Sequence, residues 1–415
     1  MSDLVHTLRL TFVSGLGPVL IRRAVELFGS AELACRASPA DWQRIEGIGE
    51  KTARAVCAGM LAAEQRAEKE VGKAADLGVR ILSWTDPDYP PLMRDLPDAP
   101  AVLYTKGQPQ PATDRFGVAI VGSRACTQYG LEQAARFGRA LAQSGLTIVS
   151  GGARGIDTAA HRAALDVGAR TSVVLGCGID FTYPPENVDL FRRVAAQGMI
   201  VSELPIGTAP AAENFPGRNR IIAGMSLGVL VVEAARGSGS LITAKDSVER
   251  YGREAMAIPG RIDSPASQGS LELIKQGGAA MVLDPGDCIK VLESPARQQM
   301  EGTLGNRAAA LHALAAQSHR EAEADTVAEA QLPASRLRTK ANATPQMRAT
   351  PPMQAPQGLP LNTTQQALLQ ALGKPMTLDE LVLATGLQAQ QIRSELTLLE
   401  VTKRVKRKGE KVERA

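Results

Sequence analysis

Residues 147–165 read TIVSGGARGIDTAAHRAAL. Thr147 to Val149 is a short β-branched and apolar run, the signal of a buried strand. Gly151, Gly152 and Gly155 then break it, and the alanine-rich stretch from Asp157 onward opens a helix. A strand passing through a glycine-rich loop into a helix is the repeating unit of a parallel sheet. The loop also leaves backbone N–H groups at a helix start, where peptide dipoles favour an anion. Gly152, Arg154 and Gly155 are therefore candidate phosphate contacts.

The same alternation extends to both sides. Further strand candidates are Gly117–Val121, Thr171–Leu175, Met199–Val201, Gly228–Val232 and Ala255–Ile258, with helical patterns between most of them. Residues 112–293 thus predict an α/β domain, an open and mostly parallel sheet covered on both faces. Such sheets bind ligands beyond the carboxyl ends of their strands. Three more loops are expected at that edge. Gly122, Ser123 and Arg124 follow the first strand and offer backbone approach, a hydroxyl and a fork of donors. Phe215, Arg218, Asn219 and Arg220 precede a helix predicted from Ile221 to Met225. Ser238, Gly239 and Ser240 lead into a helix predicted from Leu241 to Tyr251, with a serine as its cap. Phe215 serves equally as a base-stacking ring or as a buried anchor for its loop.

The anion expected here is a chain of phosphates rather than a cofactor. Neither a correctly spaced G-x-G-x-x-G fingerprint nor a G-x-x-x-x-G-K-[ST] loop is present, so no cofactor is expected. An enzyme reading would need Asp157 and His161, four apart on one helix face, with Glu203 and Glu233 after strands. N-glycosidic cleavage of a nucleotide is the reaction they would suit. Each has a plain structural alternative: a charge in the first helical turn, a histidine packed on the sheet. One histidine and scattered carboxylates specify no metal geometry, so no metal site is expected. The expectation is a binding protein that is not an enzyme. A protein-interaction scaffold is a third reading, and it leaves the clustered arginines unexplained.

The flanks differ in kind. Residues 1–66 read as helices. Ile45-Glu46-Gly47-Ile48-Gly49 has the apolar–x–Gly–apolar–Gly turn of a helix-hairpin-helix, which makes Gly47, Gly49 and Lys51 secondary DNA-contact candidates; a tight turn in a small bundle is the alternative. Residues 67–111 read as a connector packed on the core, with two short strands and proline-rich turns. Residues 294–358 are rich in Ala, Gln, Glu, Thr and Pro and read as a disordered linker. Residues 359–415 predict three helices and a basic tail, with Thr377 and Glu380 in capping-box register. Lys403, Arg404, Lys406 and Arg407 of that tail are further secondary candidates. The tail from Val401 carries seven basic residues against two acids.

The chain has 415 residues, 44% of them hydrophobic and 22% charged, which predicts several domains with sizeable cores. Its formal net charge of +4 is too small for a global charge argument, so any anion site is local. The five scattered cysteines fit a reducing cytoplasm. No apolar stretch is long enough to span a membrane, and the start resembles no secretory signal.

Taken in order, these segments carry a resemblance. GSR from Gly122, SGGARGIDTAAHRAAL from Ser150, YPPENVDL from Tyr183, SELPIG from Ser202, FPGRNRIIAG from Phe215, VVEAARGSGSLITA from Val231 and AIPG from Ala257 resemble the DNA-processing protein A, or Smf, family. The lead-in WTDPDYPPLMRDLPDAPAVLYTKG from Trp84 is similar to the family's as well. The resemblance implies an extended Rossmann-like fold with a helical start and a winged-helix finish. It implies a homodimer that binds and protects single-stranded DNA during natural transformation, loads a RecA-type recombinase and helps displace single-strand binding protein. It places the phosphate site on the residues named above, with Arg124 and Arg154 as main backbone contacts. The alternative within related Rossmann-like proteins is a nucleotide-monophosphate-processing enzyme, whose Pro-Gly-Gly-x-Gly-Thr-x-x-Glu loop is absent. One glycine of the Ser150 loop replaces a leucine common in relatives, and the tail lacks a terminal tyrosine.

Overall fold

The computed structural model describes residues 2–300, 368–372, 376–385, 392, 396, 405–408 and 411–414. The chain forms two compact units, Met1–Gln331 and Leu332–Ala415.

The first unit is organised by nine strands: β1 (Arg80–Ser83), β2 (Val102–Gly107), β3 (Gly117–Val121), β4 (Thr147–Ser150), β5 (Thr171–Val174), β6 (Met199–Ser202), β7 (Gly228–Val231), β8 (Glu254–Ala257) and β9 (Ala280–Met281). Their order in the sheet is β1-β2-β6-β5-β4-β3-β7-β8-β9. All neighbours from β6 to β9 run parallel; β1–β2 and β2–β6 are antiparallel. Every residue of β3 to β7 is buried, as expected of strands covered on both faces. The six strands expected from sequence agree with the observed ones to within one residue at each end. The connector does more than pack on the core, because its two strands add an antiparallel edge to the sheet.

Alternation within β3 shows how the layers are filled. Val118 and Ile120 face one side, against Phe137 and Leu141 of α8 (Gln128–Gln143) and Ile156 and Ala160 of α9 (Ile156–Asp166). Ala119 and Val121 face the other, in a cluster with Ile221 and Ile222 of α11 (Asn214–Gly224) and Ala244 of α12 (Gly239–Glu249). Helix α10 (Val188–Gln197) covers β5 and β6, and α13 (Gln268–Lys275) and α14 (Pro285–Met300) close the far edge.

Before the sheet stand α1 (Ser2–Thr11), α2 (Pro18–Phe28), α3 (Ala31–Arg36), α4 (Pro39–Trp42) and α5 (Glu50–Asp76). The short helices α6 (Pro91–Arg94) and α7 (Pro111–Asp114) lie in the connector. Helix α5 runs through the boundary expected at residue 66, since residues 61–71 hold neither glycine nor proline to stop it. The start of the expected linker is likewise helical as far as Met300; its remainder lies outside the described residues. Among the described residues no helix is long and apolar enough to cross a membrane.

In the second unit, β10 (Met376–Thr377), β11 (Val405–Lys408) and β12 (Lys411–Arg414) form a sheet of order β10-β12-β11. Leu368, Leu372, Leu381, Ile392, Leu396, Val405 and Val412 make its core. The capping box at Leu378–Thr385 is formed: Thr377 N donates to Glu380 Oε2 at 2.7 Å, and Glu380 N to Thr377 Oγ1 at 3.3 Å. A helical core followed by a β-hairpin is the winged-helix arrangement. Lys406 and Arg407 lie on β11; Lys403 and Arg404 lie outside the described residues.

Candidate functional site

The strand order reverses beside β3, which pairs with β4 on one side and β7 on the other. Loops leaving such a point diverge to opposite faces and open a crevice at the strands' carboxyl ends. Here the crevice is an open cleft of about 640 Å3. Gly122, Ser123 and Arg124 after β3, Phe215, Arg218 and Asn219 of α11, and Ser238, Gly239 and Ser240 at the start of α12 all line it. The sequence thus brought nine of its candidates to one place.

Their roles differ. Gly122 is a point of close approach: a Cβ there would stand 2.5 Å from Ile156 Cγ1 and 2.9 Å from the Glu233 carbonyl. Ser123 N donates to that carbonyl at 2.7 Å, which fixes the loop to the end of β7. Arg124 is exposed, makes no ion pair among the described residues, and lies over the Phe215 ring at 4.8 Å. Phe215 is half-buried on Gly176, with Tyr183 tilted against it at a centroid distance of 5.9 Å. Both readings of Phe215 therefore hold: one side anchors the loop, and the other bears an arginine in the cleft.

Arg218 is buried, and its Nη1 donates to Gly151 O at 2.7 Å and Val174 O at 2.6 Å. It borders the cleft, but its Nη1 ties the end of β4 to β5 and its Nε donates to Asn219 Oδ1 at 3.2 Å. Burial lowers its pKa to about 10, against the pull of Asp157, so it stays charged at neutral pH. Asp157 accepts from the amides of Gly151 and Ala153 at 3.1 and 3.3 Å and so holds the β4–α9 loop. Burial raises its pKa, and Arg218 with these amides opposes the shift.

Arg220 is a correction. Helix α11 begins at Asn214, not Ile221, so positions 218 and 220 are separated by about 200° of helical rotation. Arg220 points away from the cleft, donating to Asp98 O at 2.7 Å and pairing with Glu203. Gly152 is also turned inward, buried against Phe191. Gly155 acts through its backbone: with φ +77° and ψ −124° it turns the chain into α9, a conformation other residues avoid. Arg154 lies at the lip of the cleft beside Arg124 and Tyr183, paired with Glu186.

Helix α12 starts without a side-chain cap. Ser238 Oγ instead meets Ser240 Oγ at 2.9 Å, and the helix's positive end faces the cleft.

The groups an enzyme would need are taken up by the frame. Glu233 is buried and accepts from Thr127 N and Thr127 Oγ1, both at 2.7 Å, at the start of α8. His161 is fully buried, and burial lowers its pKa to about 3. Among the described residues no group of three or more His, Cys, Asp or Glu side chains is placed to hold a metal.

At the helix-hairpin-helix-like turn, Ile45 and Ile48 are buried, Gly47 has φ +90°, and Gly49 precedes α5 with no side-chain cap. Lys51 is exposed, but Glu46 and Glu50 flank the turn and pair with Arg23 and Arg54. The sequence reading missed Tyr183 and Ile242 of the cleft wall. The aromatic pair Tyr183–Phe215 joins segments 32 positions apart, and no local pattern announces it.

The fold has counterparts among known proteins. The family model for DNA recombination-mediator protein A matches residues 80–293, that for the DprA winged helix domain residues 350–411, and that for a SAM-like helix-hairpin-helix tandem residues 7–59. Protein Smf of Synechocystis is 38% identical over 320 residues, covering 70% of this chain and 77% of that protein. Protein Smf of Escherichia coli is 46% identical over 206 residues, 49% of this chain and 54% of that protein. The X-ray structure of DNA processing protein A from Streptococcus pneumoniae superposes with a TM-score of 0.60 at 35% identity, covering 68% of this chain and 95% of that one. With its sheet domain, its helical start and its winged-helix finish all matched, the chain belongs to the DNA recombination-mediator protein A family, that of the DprA and Smf proteins.

Proposed function

We propose that this protein binds single-stranded DNA in the cleft at the carboxyl ends of β3, β4 and β7, and acts as a recombination mediator. The observation that carries the reading is Arg124. It is an exposed guanidinium without an acidic partner among the described residues, laid on an aromatic ring opposite the uncapped start of α12. Phosphates would be held by Arg124, Arg154, Ser123 and the first N–H groups of α12. Tyr183 would offer a ring face to a base and Phe215 would carry the Arg124 guanidinium plane toward the strand, which is sequence-tolerant recognition. Arg218 would add charge from below without leaving its carbonyl partners. No bond is broken in this reading, and the protein is not an enzyme: Asp157, Glu233 and His161 each have a structural bonding role.

Family membership supports the larger role, in which a cytoplasmic homodimer shields incoming DNA, displaces single-strand binding protein and loads a RecA-type recombinase during natural transformation. Binding is tested by titrating a fluorescent single-stranded oligonucleotide and its duplex at two salt concentrations. The single strand is expected to bind more tightly, with affinity falling steeply as salt rises. Arg124→Ala/Arg154→Ala is expected to weaken binding by about tenfold or more, as loss of charge-assisted contacts does. Binding untouched by the double substitution would move the site to the basic C-terminal tail or the Gly47–Gly49 turn.

A further inference from the structure

We propose that Glu186 is a built-in surrogate for a DNA phosphate, holding Arg154 in the free protein and yielding it to an incoming strand. The proposal deepens the reading above and rests on it. Three arginines reach the hollow at the lip of the cleft, and each is in a different state. Arg218 is spent on carbonyls, Arg124 lies on Phe215, and Arg154 is gripped by Glu186. The grip is two-pronged: Arg154 Nε donates to Oε1 of Glu186, and Nη2 donates to Oε2 at 3.0 Å. Two carboxylate oxygens meet a guanidinium in the same forked geometry as two phosphate oxygens do.

The grip is also framed. Glu186 sits on the turn Pro185–Asn187. The buried Asn187 donates to Gly152 O at 3.0 Å and Thr158 Oγ1 at 2.8 Å, anchors that bracket Arg154 in the chain. The loop carrying the acid is thereby pinned to the loop carrying the arginine. Both side chains nevertheless keep about half their surface open, 55% and 48%, so a polyanion can reach the pair.

Two consequences follow for a strand entering the cleft. Its phosphate must displace a carboxylate to reach Arg154, and the released Glu186 then stands beside the bound backbone as a like charge. Both effects weaken binding and speed release, which suits a protein that passes its strand on. The Arg154–Glu186 pair brings no net charge to the strand, so it expels fewer of the cations condensed on the phosphates than an arginine standing alone would.

The test uses the full chain and a fluorescent single-stranded oligonucleotide, with equilibrium titration and stopped-flow dissociation. Glu186→Gln is expected to bind about two- to fivefold more tightly, the range spanned by an exposed ion pair, and to dissociate more slowly. The slope of log affinity against log salt is expected to steepen by up to about 0.7, the effect of one additional net positive charge set against the strand. In an Arg154→Ala background the same substitution is expected to bring a clearly smaller gain, the like-charge effect alone. Unchanged or weaker binding by Glu186→Gln would overturn the proposal, and so would an equal gain with and without Arg154, which is general repulsion. Arg124→Ala separates the two readings. If it binds like wild type, the cleft is not the site and both fall. If it weakens binding while Glu186→Gln changes nothing, only the surrogate role falls. Thermal midpoints near that of wild type confirm that these exposed substitutions leave the fold intact.

Discussion

At the scale of single residues, His161 shows how bonding assigns a role. Thr171 Oγ1 donates to Ile148 O at 2.7 Å, so the imidazole Nδ1, 2.7 Å from the same oxygen, must carry its own proton. Nε2 is then a bare lone pair, buried and without a hydrogen-bond partner among the described residues. Protonating it would bury a charge, and Arg218 nearby adds repulsion. The folded pKa of about 3 lies below the ordinary 6.5, so the unfolded chain takes up a proton that the folded chain refuses. The stability that His161 contributes is whole above pH 6.5 and declines as pH falls toward 3, by at most about 1.4 kcal/mol per pH unit. Urea midpoints at pH 7, 6 and 5 are expected to fall along this line, and to fall less in His161→Gln. Equal pH dependence in the two proteins would show that the histidine is not the titrating group.

At the scale of elements, the start of α12 separates stability from binding. Ser238 occupies the cap position, yet its hydroxyl meets Ser240 instead of a helix N–H. An aspartate there would accept from the free amides and complement the helix dipole, worth about 0.5–1 kcal/mol. The same carboxylate would stand in the cleft where a phosphate is expected. Ser238→Asp is therefore expected to raise the thermal midpoint slightly and to lower single-strand affinity severalfold. A variant that is stabilised with its binding unaltered would place the strand away from α12. Loss of both would mean that the serine pair supports the loop. The start of α8 is the counterpart: Thr127 Oγ1 accepts from Gly130 N at 3.2 Å and caps the helix, and the buried Glu233 holds Thr127 in place.

At the scale of the whole molecule, the sheet unit and the C-terminal unit have separate cores. The cleft draws all its lining from residues 121–243. A chain ended at residue 300 is accordingly expected to fold with a single cooperative transition and to bind a single-stranded oligonucleotide within about threefold of the full chain, a difference of less than about 1 kcal/mol. A loss of tenfold or more would assign strand contacts to the winged-helix unit, where Lys406 and Arg407 lie on β11. The connector belongs with the sheet for a structural reason. Its strands β1 and β2 extend the sheet past β6, and Arg253 donates from the sheet region to the Leu92 carbonyl of α6.

The sequence by itself determined the parallel strands, the glycine-rich turns that follow them and the capping box at Thr377, because each depends on neighbours a few positions apart. Strand periodicity and glycine breaks are local, and they placed four loops at one edge, although the serine cap expected before α12 is not made. Only the tertiary structure decided what each arginine does there. Arg124 is left on a ring, Arg154 meets Glu186 from 32 positions away, Arg218 turns inward to carbonyls, and Arg220 faces the other side of its helix toward Glu203. A guanidinium carries the same charge in all four settings. Its availability depends on which carboxylate, carbonyl or ring a distant segment brings within 3 to 5 Å, and the fold alone sets that distance.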